Sequence, residues 1–123
     1  QYDFGMSYPV QKAAIAALTG PRDGVKAQCM EYQKRRDSFL GALRKIGWNV
    51  PDSHGTMFVW LPVPEGYTSW SFCEALMDKA GVIGTPGTAF GPMGEGYIRF
   101  ALVKPCEELV HIAEVIGESG LFA

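Results

Sequence analysis

A short segment near the end of the chain places one arginine among apolar residues. It runs Tyr97-Ile98-Arg99-Phe100-Ala101-Leu102 and follows a loop rich in glycine and proline. Side chains alternate between the two faces of a β-strand, so this pattern predicts a core-facing set that consists of Ile98, Phe100 and Leu102. Arg99 then points away from the core. It could offer its charge to a ligand, or it could pair with a nearby carboxylate at the surface, and spacing alone leaves both open.

The loop before this strand is too rich in glycine and proline to form a helix or a regular strand. It holds five glycines and two prolines: Gly84, Gly87, Gly91, Gly94, Gly96, Pro86 and Pro92. The apolar pair Val82-Ile83 in front of it is predicted to be a short buried strand. The loop would therefore join two strands of one sheet.

The motifs of this region resemble a known family. Pro86-Gly87, Phe90-Gly91 and the run Gly94 to Leu102 are similar to the C-terminal signature of the pyridoxal-phosphate-dependent aminotransferases of classes I and II. Ser7-Tyr8-Pro9 with the alanine-rich segment after it, and Gly55 to Trp60, also resemble parts of that family. Nearly the whole chain matches, and within the family it most resembles the branch that contains LL-diaminopimelate aminotransferase.

The resemblance implies a role for Arg99. In the family, the arginine of this strand binds the α-carboxylate of the amino-acid substrate, and a planar guanidinium can hold a carboxylate through two parallel hydrogen bonds. The implied reaction transfers an amino group between an amino acid and a 2-oxo acid through pyridoxal 5'-phosphate. The implied full-length protein is a homodimer, in which Ser7 and Tyr8 are candidates for the mouth of the active site.

The resemblance also implies that essential groups are absent from this chain. The family's Schiff-base lysine belongs to a Ser-x-x-x-Lys type motif upstream of these residues, and most of the cofactor-binding groups lie there too. The lysines present occur in no such context: Lys12, Lys26, Lys34, Lys45, Lys79 and Lys104. We therefore assign no catalytic residue here, expect the cofactor to be held mainly by residues outside this chain, and expect this chain alone to be inactive. Its start at Gln1, without an initiator methionine, is interpreted as that of a fragment.

Hydrophobic periodicity predicts the elements that position these residues. Helices are predicted over 11–18, 21–46, 69–80 and from 105 onward, and strands over 48–50, 56–61, 82–83 and 97–102. This order predicts an α/β fold, with a small, mostly antiparallel sheet and helices packed on it, as in the small domain of the pyridoxal-phosphate-dependent transferases. Residues 1–20 are interpreted as a remnant of the large cofactor-binding domain and 21–123 as the small domain, in the order α-β-β-α-β-β-α.

Three local features accompany this prediction. The run Met57 to Leu61 is apolar at every position, which is typical of a central strand covered on both faces. Gly47 is placed to end the long helix, because glycine readily adopts the left-handed conformation found there. Either Thr68 or Ser69 is expected to cap the helix that runs to about Ala80.

Composition narrows the function classes further. The chain has 123 residues, enough for one compact domain, and a formal net charge of −2, which gives no reason to expect nucleic acid or a membrane surface as partner. The cysteines are odd in number and far apart (Cys29, Cys73 and Cys106), which argues against a disulfide framework or a zinc site and fits a reducing cytoplasm. His54 and His111 are isolated, so no metal is predicted.

Two other functions compete with a piece of an enzyme. Aminotransferase-like domains also occur in transcriptional regulators, where they sense a ligand, and this chain would look much the same there. A third reading sets the resemblance aside and leaves a generic ligand-binding α/β domain in which Arg99 is structural. The combined spacing of the Pro-Gly, Phe-Gly and Gly-Tyr-Ile-Arg motifs argues against that reading.

Overall fold

The structure, a computed structural model, describes residues 5–122. The chain divides into two compact units between Met30 and Glu31. Its elements are α1 (Tyr8–Thr19), α2 (Asp23–Lys45), β1 (Phe58–Pro62), α3 (Ser69–Ala80), β2 (Thr85–Pro86), β3 (Tyr97–Ala101) and α4 (Cys106–Glu118), with 3₁₀ turns at Gly87–Phe90 and Pro92–Gly94. Within residues 5–122, no helix is long and apolar enough to cross a membrane.

The three strands form one antiparallel sheet in the order β1-β3-β2. β3 is therefore the central strand, although it is the last of the three in the chain. Helices α2, α3 and α4 share a hydrophobic core with one face of this sheet. The predicted fold class, an α/β fold with a small antiparallel sheet and helices packed on it, is confirmed.

Strand alternation builds that core. Val59 and Leu61 of β1 are buried, as are Ile98, Phe100 and Leu102 at β3, so the predicted core face of β3 is confirmed. The helices supply the rest of the core through these buried side chains: Phe39, Leu40 and Leu43 from α2, Phe72 and Leu76 from α3, and Leu109, Ala113 and Ile116 from α4. The opposite face of the sheet is left for other contacts.

The prediction that β1 is a central strand covered on both faces is wrong. β1 lies at the edge of the sheet, and only Val59 and Leu61 among its residues are buried. The Trp60 side chain is 37% exposed on the other face. The prediction fails because the outward residues of this apolar run, Phe58 and Trp60, are aromatic. Trp60 packs at the surface against Phe90 and Tyr97 instead of being buried.

The predicted strand at 48–50 is also absent. The segment does alternate, since Trp48 and Val50 are buried and Asn49 is exposed. Its hydrogen bonds to Arg44 and Pro62, however, are made by side chains and do not form a backbone ladder with a strand. The Trp48 indole donates to the carbonyl of Pro62 at 2.9 Å, and the Arg44 guanidinium donates to the carbonyl of Val50 at 3.1 and 3.2 Å.

The predicted strand at 82–83 lies three residues later, at Thr85–Pro86. Gly81 ends α3 in the left-handed conformation, and the N–H of Val82 still donates to the carbonyl of Leu76, so this segment serves to terminate the helix. Ile83 is exposed instead of buried. The glycine-rich loop, predicted to be irregular, holds strand β2 and both 3₁₀ turns.

The two predicted helix ends are confirmed. Gly47 has a φ of 91° beyond α2, where its N–H donates to Arg44 and the N–H of Trp48 donates to Leu43, each at 3.1 Å. Thr68, rather than Ser69, caps α3 by accepting the N–H of Ser71 at 3.1 Å. Ser69 is left free for another role.

Replacing Phe72 should be costly. Its side chain is fully buried, and its ring lies 5.3 Å from that of Trp48 and 5.4 Å from that of Tyr67. Phe72→Ala should lower the free energy of unfolding by about 3–5 kcal/mol, because it removes apolar contacts and leaves a cavity. Urea unfolding measures this, with Met93→Ala, at a side chain that is 93% exposed, as the control expected within about 0.5 kcal/mol of the parent. Equal effects of the two substitutions would contradict this account of the core.

Candidate substrate-binding site

Arg99 lies at the middle of the central strand, on the sheet face opposite the core. In the antiparallel register it is opposite Trp60 of β1 on one side and opposite Thr85 of β2 on the other. Its same-face neighbours along β3 are Tyr97 and Ala101, both exposed. The prediction that Arg99 faces away from the core is therefore confirmed, and we call this side of the sheet the outward face.

Two phenylalanine rings contact the Arg99 guanidinium. Its Cζ lies 4.2 Å from the ring centroid of Phe58 and 4.4 Å from that of Phe90. Phe58 comes from β1, whereas Phe90 comes from the 3₁₀ turn after β2. Both rings are well within the 6 Å range of a cation–π interaction, which stabilises the charge without accepting a hydrogen bond along the edge of the guanidinium.

No carboxylate of residues 5–122 neutralises Arg99. Its Nε is buried and has no hydrogen-bond partner, and Arg99 takes part in none of the salt bridges formed within residues 5–122. A surface arginine paired with a nearby acid, one of the two alternatives open from the sequence, is not what these residues form. An unpaired polar group at a partly buried cation is unusual in a folded protein, because most buried polar groups have a hydrogen-bond partner.

An aromatic cluster surrounds this cation. The ring of Trp60 stacks on that of Tyr97, with centroids 5.7 Å apart and planes 25° apart, and it meets Phe90 edge-on at 5.6 Å. These side chains are 37%, 39% and 53% exposed, respectively. The outward face thus offers a cation beside a partly exposed apolar surface. This combination suits a ligand that carries a carboxylate next to carbon.

Sequence reasoning identified Arg99 but missed the aromatic residues around it. The alternation that set Ile98 and Phe100 apart from Arg99 also applies to β1, where it puts Phe58 and Trp60 opposite Val59 and Leu61. The same alternation thus separates the outward aromatic residues of β1 from its buried ones. Nothing in the local pattern of Phe90 indicated its contact with Arg99.

Glycines bring the loop close to the central strand. A Cβ on Gly84 would overlap the side chain of Ile98, and a Cβ on Gly87 would overlap the carbonyl oxygen of Gly94. Any larger residue would push β2 or the first 3₁₀ turn away from the sheet. The glycine content of this loop therefore places Phe90 against Arg99.

Ser7 and Tyr8, the other two predicted site residues, lie in the first compact unit, whereas Arg99 lies in the second. Both are exposed. Ser7 precedes α1 without a side-chain capping bond, and the ring of Tyr8 lies 5.2 Å from the Lys12 ammonium. Their assignment to the mouth of an active site stays a prediction.

Metal and thiol chemistry have no assembled site in the described part of the chain. Residues 5–122 contain no cluster of three or more histidine, cysteine, aspartate or glutamate side chains that could hold a metal ion. All three cysteines are free thiols. Burial raises the pKa of Cys73, which disfavours the reactive thiolate.

The family model described as aminotransferase class I and II matches residues 2–116 of the chain. This chain belongs to the class I and II aminotransferase family. It is 50% identical over 107 residues to LL-diaminopimelate aminotransferase of Dehalococcoides mccartyi, covering 87% of this chain and 28% of that protein. It is 46% identical over 112 residues to the protein of the same name in Desulforudis audaxviator, covering 91% of this chain and 29% of that protein. The family and the branch predicted from the sequence are confirmed.

Solved aminotransferase structures share the fold. Substrate-bound BacF from Bacillus subtilis superposes with a TM-score of 0.85 at 32% identity, covering 96% of this chain and 30% of that one. N-succinyldiaminopimelate aminotransferase from Mycobacterium tuberculosis superposes with a TM-score of 0.77 at 30% identity, covering 96% of this chain and 32% of that one. This chain spans less than a third of the length of these relatives.

The family depends on pyridoxal phosphate, but the residues described here do not fit its covalent attachment. That attachment requires a lysine amine placed inside a site. All six lysines of this chain are exposed, and none lies on strands β1 to β3. No lysine described here is therefore held inside a site that could attach the cofactor.

The raised pKa of Cys73 has a measurable consequence. Because burial raises that pKa, the thiolate should form at higher pH in the folded protein than in the unfolded chain. The rate of Cys73 alkylation by iodoacetamide, followed by mass spectrometry, should thus rise with pH in both states. The midpoint of this rise should lie at higher pH in the folded protein than in the urea-unfolded protein. A folded-state curve displaced to lower pH would contradict this environment for Cys73.

Proposed function

We propose that this chain is the substrate-binding part of an aminotransferase that transfers an amino group between an amino acid and a 2-oxo acid. Arg99 binds the substrate α-carboxylate. Pyridoxal 5'-phosphate, held mainly by residues outside this chain, supplies the electron sink for the transfer. The observation that supports the proposal most directly is the Arg99 guanidinium, which contacts two aromatic rings and pairs with no carboxylate of residues 5–122.

The chemistry of a carboxylate suits this environment. Its two oxygens match two parallel N–H groups of a guanidinium in one plane, which fixes the orientation of the substrate as well as its charge. The aromatic contacts restrict the guanidinium before the ligand arrives, so less conformational entropy is lost on binding. We propose that carbon atoms of the substrate contact Trp60 and Tyr97, whose stacked rings are partly exposed.

The proposal extends to the whole protein in three respects. We propose that residues 1–20 belong to a large cofactor-binding domain and 21–123 to the small domain. We also propose a cytoplasmic homodimer in which Ser7 and Tyr8 line the mouth of the active site. The names of the relatives make LL-diaminopimelate the first amino donor to assay.

The 123-residue chain alone should form no lasting adduct with pyridoxal phosphate, because its lysines are all exposed and none is held in a site. After mixing and dialysis, we expect no stoichiometric cofactor absorbance and no transamination. A stable one-to-one adduct that maps to a single lysine would contradict this part of the proposal.

Arg99 variants of the full-length protein test the central claim. Arg99→Ala should lower kcat/KM on the order of a hundredfold or more, because charged hydrogen bonds contribute about 1.5–3 kcal/mol each and about 1.4 kcal/mol corresponds to one decade. Arg99→Lys should recover only part of this loss, since an ammonium cannot match two oxygens in one plane. The absorbance of the bound cofactor without substrate should scarcely change.

Arg36→Ala is the matched control, because Arg36 pairs with Asp37 on α2 and lies outside the outward face. It should keep kcat/KM within about twofold of the parent, because a partly exposed ion pair contributes little and this one does not include Arg99. If Arg99→Ala kept its kcat/KM within a few fold, or failed mainly by unfolding, Arg99 would be a structural residue and the proposal would be wrong.

A further inference from the structure

A buried hydroxyl connects helix α3 to the glycine-rich loop and the central strand. Ser69 is fully buried and is the only buried polar residue among those the structure describes. Its Oγ donates to the carbonyl of Gly94 at 3.2 Å and accepts the N–H of Tyr97 at 3.1 Å. Thr68 already caps the helix, so these two bonds of Ser69 are additional to the cap.

Glu95 holds the same helix end from the loop side. Its Oε1 accepts the N–H of Ser69 at 2.8 Å and the N–H of Gly96 at 3.1 Å. The first N–H groups of a helix have no partner within the helix, and this end carries partial positive charge, so a carboxylate is favoured there. Glu95 thus binds the start of α3 and its own turn through one oxygen.

One route from these two residues leads to Phe90. The backbones of Gly94 and Gly87 are so close that a Cβ on either would overlap the carbonyl oxygen of the other. Gly87 begins the 3₁₀ turn that ends at Phe90. A shift of Gly94 would therefore move the turn whose last ring contacts the Arg99 guanidinium.

The second route leads along β3. Tyr97, whose N–H donates to Ser69, is the first residue of that strand, and Arg99 follows two positions later on the same face. Ser69 thus contacts both segments that determine the placement of the guanidinium: the strand that carries it and the loop that supplies one of its rings. Packing of α3 does not require this, because Phe72 and Leu76 bury that helix without polar groups.

We infer that Ser69 and Glu95 are positioning residues for Arg99, which set the carboxylate-binding geometry by fixing the Gly94–Tyr97 turn to the start of α3. The inference rests on the proposed function. It assigns no contact with substrate to either residue. Their effect should appear in carboxylate affinity, because they act on the arginine that binds it.

The test uses the full-length, cofactor-loaded protein and the probe 3-phenylpropionate, a carboxylate with no amino group. Glu95→Ala should raise its inhibition constant and the substrate KM by about three- to tenfold while kcat changes less than twofold, as expected when ground-state binding is lost. Glu95→Gln keeps an oxygen acceptor and should stay close to the parent. Ser69→Ala should resemble Glu95→Ala or exceed it.

Three controls separate positioning from general stability. Ser119→Ala removes a serine hydroxyl that donates to the Ile116 carbonyl on α4, away from the outward face, and should leave the inhibition constant unchanged. Thermal unfolding and the absorbance of the bound cofactor should show each variant folded and loaded. If Ser69→Ala does not fold, the comparison of Glu95→Ala with Glu95→Gln decides.

The inference is overturned if folded Glu95→Ala binds the probe within twofold of the parent, or if it lowers kcat with KM unchanged. Arg99→Ala, measured in parallel, separates this failure from that of the proposed function. If Arg99→Ala loses the probe while the Ser69 and Glu95 variants bind normally, only the positioning role is wrong. If Arg99→Ala still binds the probe, the proposed function fails and the positioning role fails with it.

Discussion

An arginine that has no counter-ion among residues 5–122 is the constraint on which the outward face depends. Partial burial of a guanidinium removes water from some of its N–H groups, and here the Nε has lost its water and gained no protein acceptor. The rings of Phe58 and Phe90 offset part of that cost through their π faces. In the proposed function, a ligand carboxylate supplies oxygen acceptors to the guanidinium.

The opposite face of the same sheet supplies the rigidity that such a site needs. Val59, Leu61, Ile98 and Phe100 alternate with the outward residues and are buried against three helices. Because strand alternation connects the two faces, Arg99 is held between two core residues, and it cannot move far without disturbing them. The core thus fixes the backbone of the site, and the aromatic residues fix the side chain.

The sequence pattern predicted those features of the fold that depend on neighbouring residues alone. The direction of Arg99 followed from the alternation of Ile98 and Phe100, and the end of α2 followed from the freedom of Gly47 at positive φ. What failed depended on side-chain contacts that alternation does not specify. The segment from Trp48 to Val50 alternates like a strand, but Val50 accepts from the Arg44 side chain and the Trp48 indole donates to Pro62.

In the candidate site, too, some residues could be predicted from local pattern and others depend on tertiary contacts. Arg99 could be found from its strand and its family motif, whereas Phe90 meets it only because Gly87 and Gly94 let the loop approach closely. Ser69 resembled a helix cap in the sequence. Its bonds to Gly94 and Tyr97 become apparent only once the loop has folded over the start of α3.

The choice of aromatic rings over a carboxylate partner has a functional logic. An internal aspartate or glutamate would stabilise the guanidinium, but a substrate carboxylate would then have to displace it, and a tethered partner competes at high effective concentration. Aromatic faces stabilise the cation from the side and leave the hydrogen-bonding edge free of any competing acceptor. In the proposed function, the site therefore holds its cation in place before substrate arrives and still directs most of the hydrogen-bonding energy of Arg99 to the ligand.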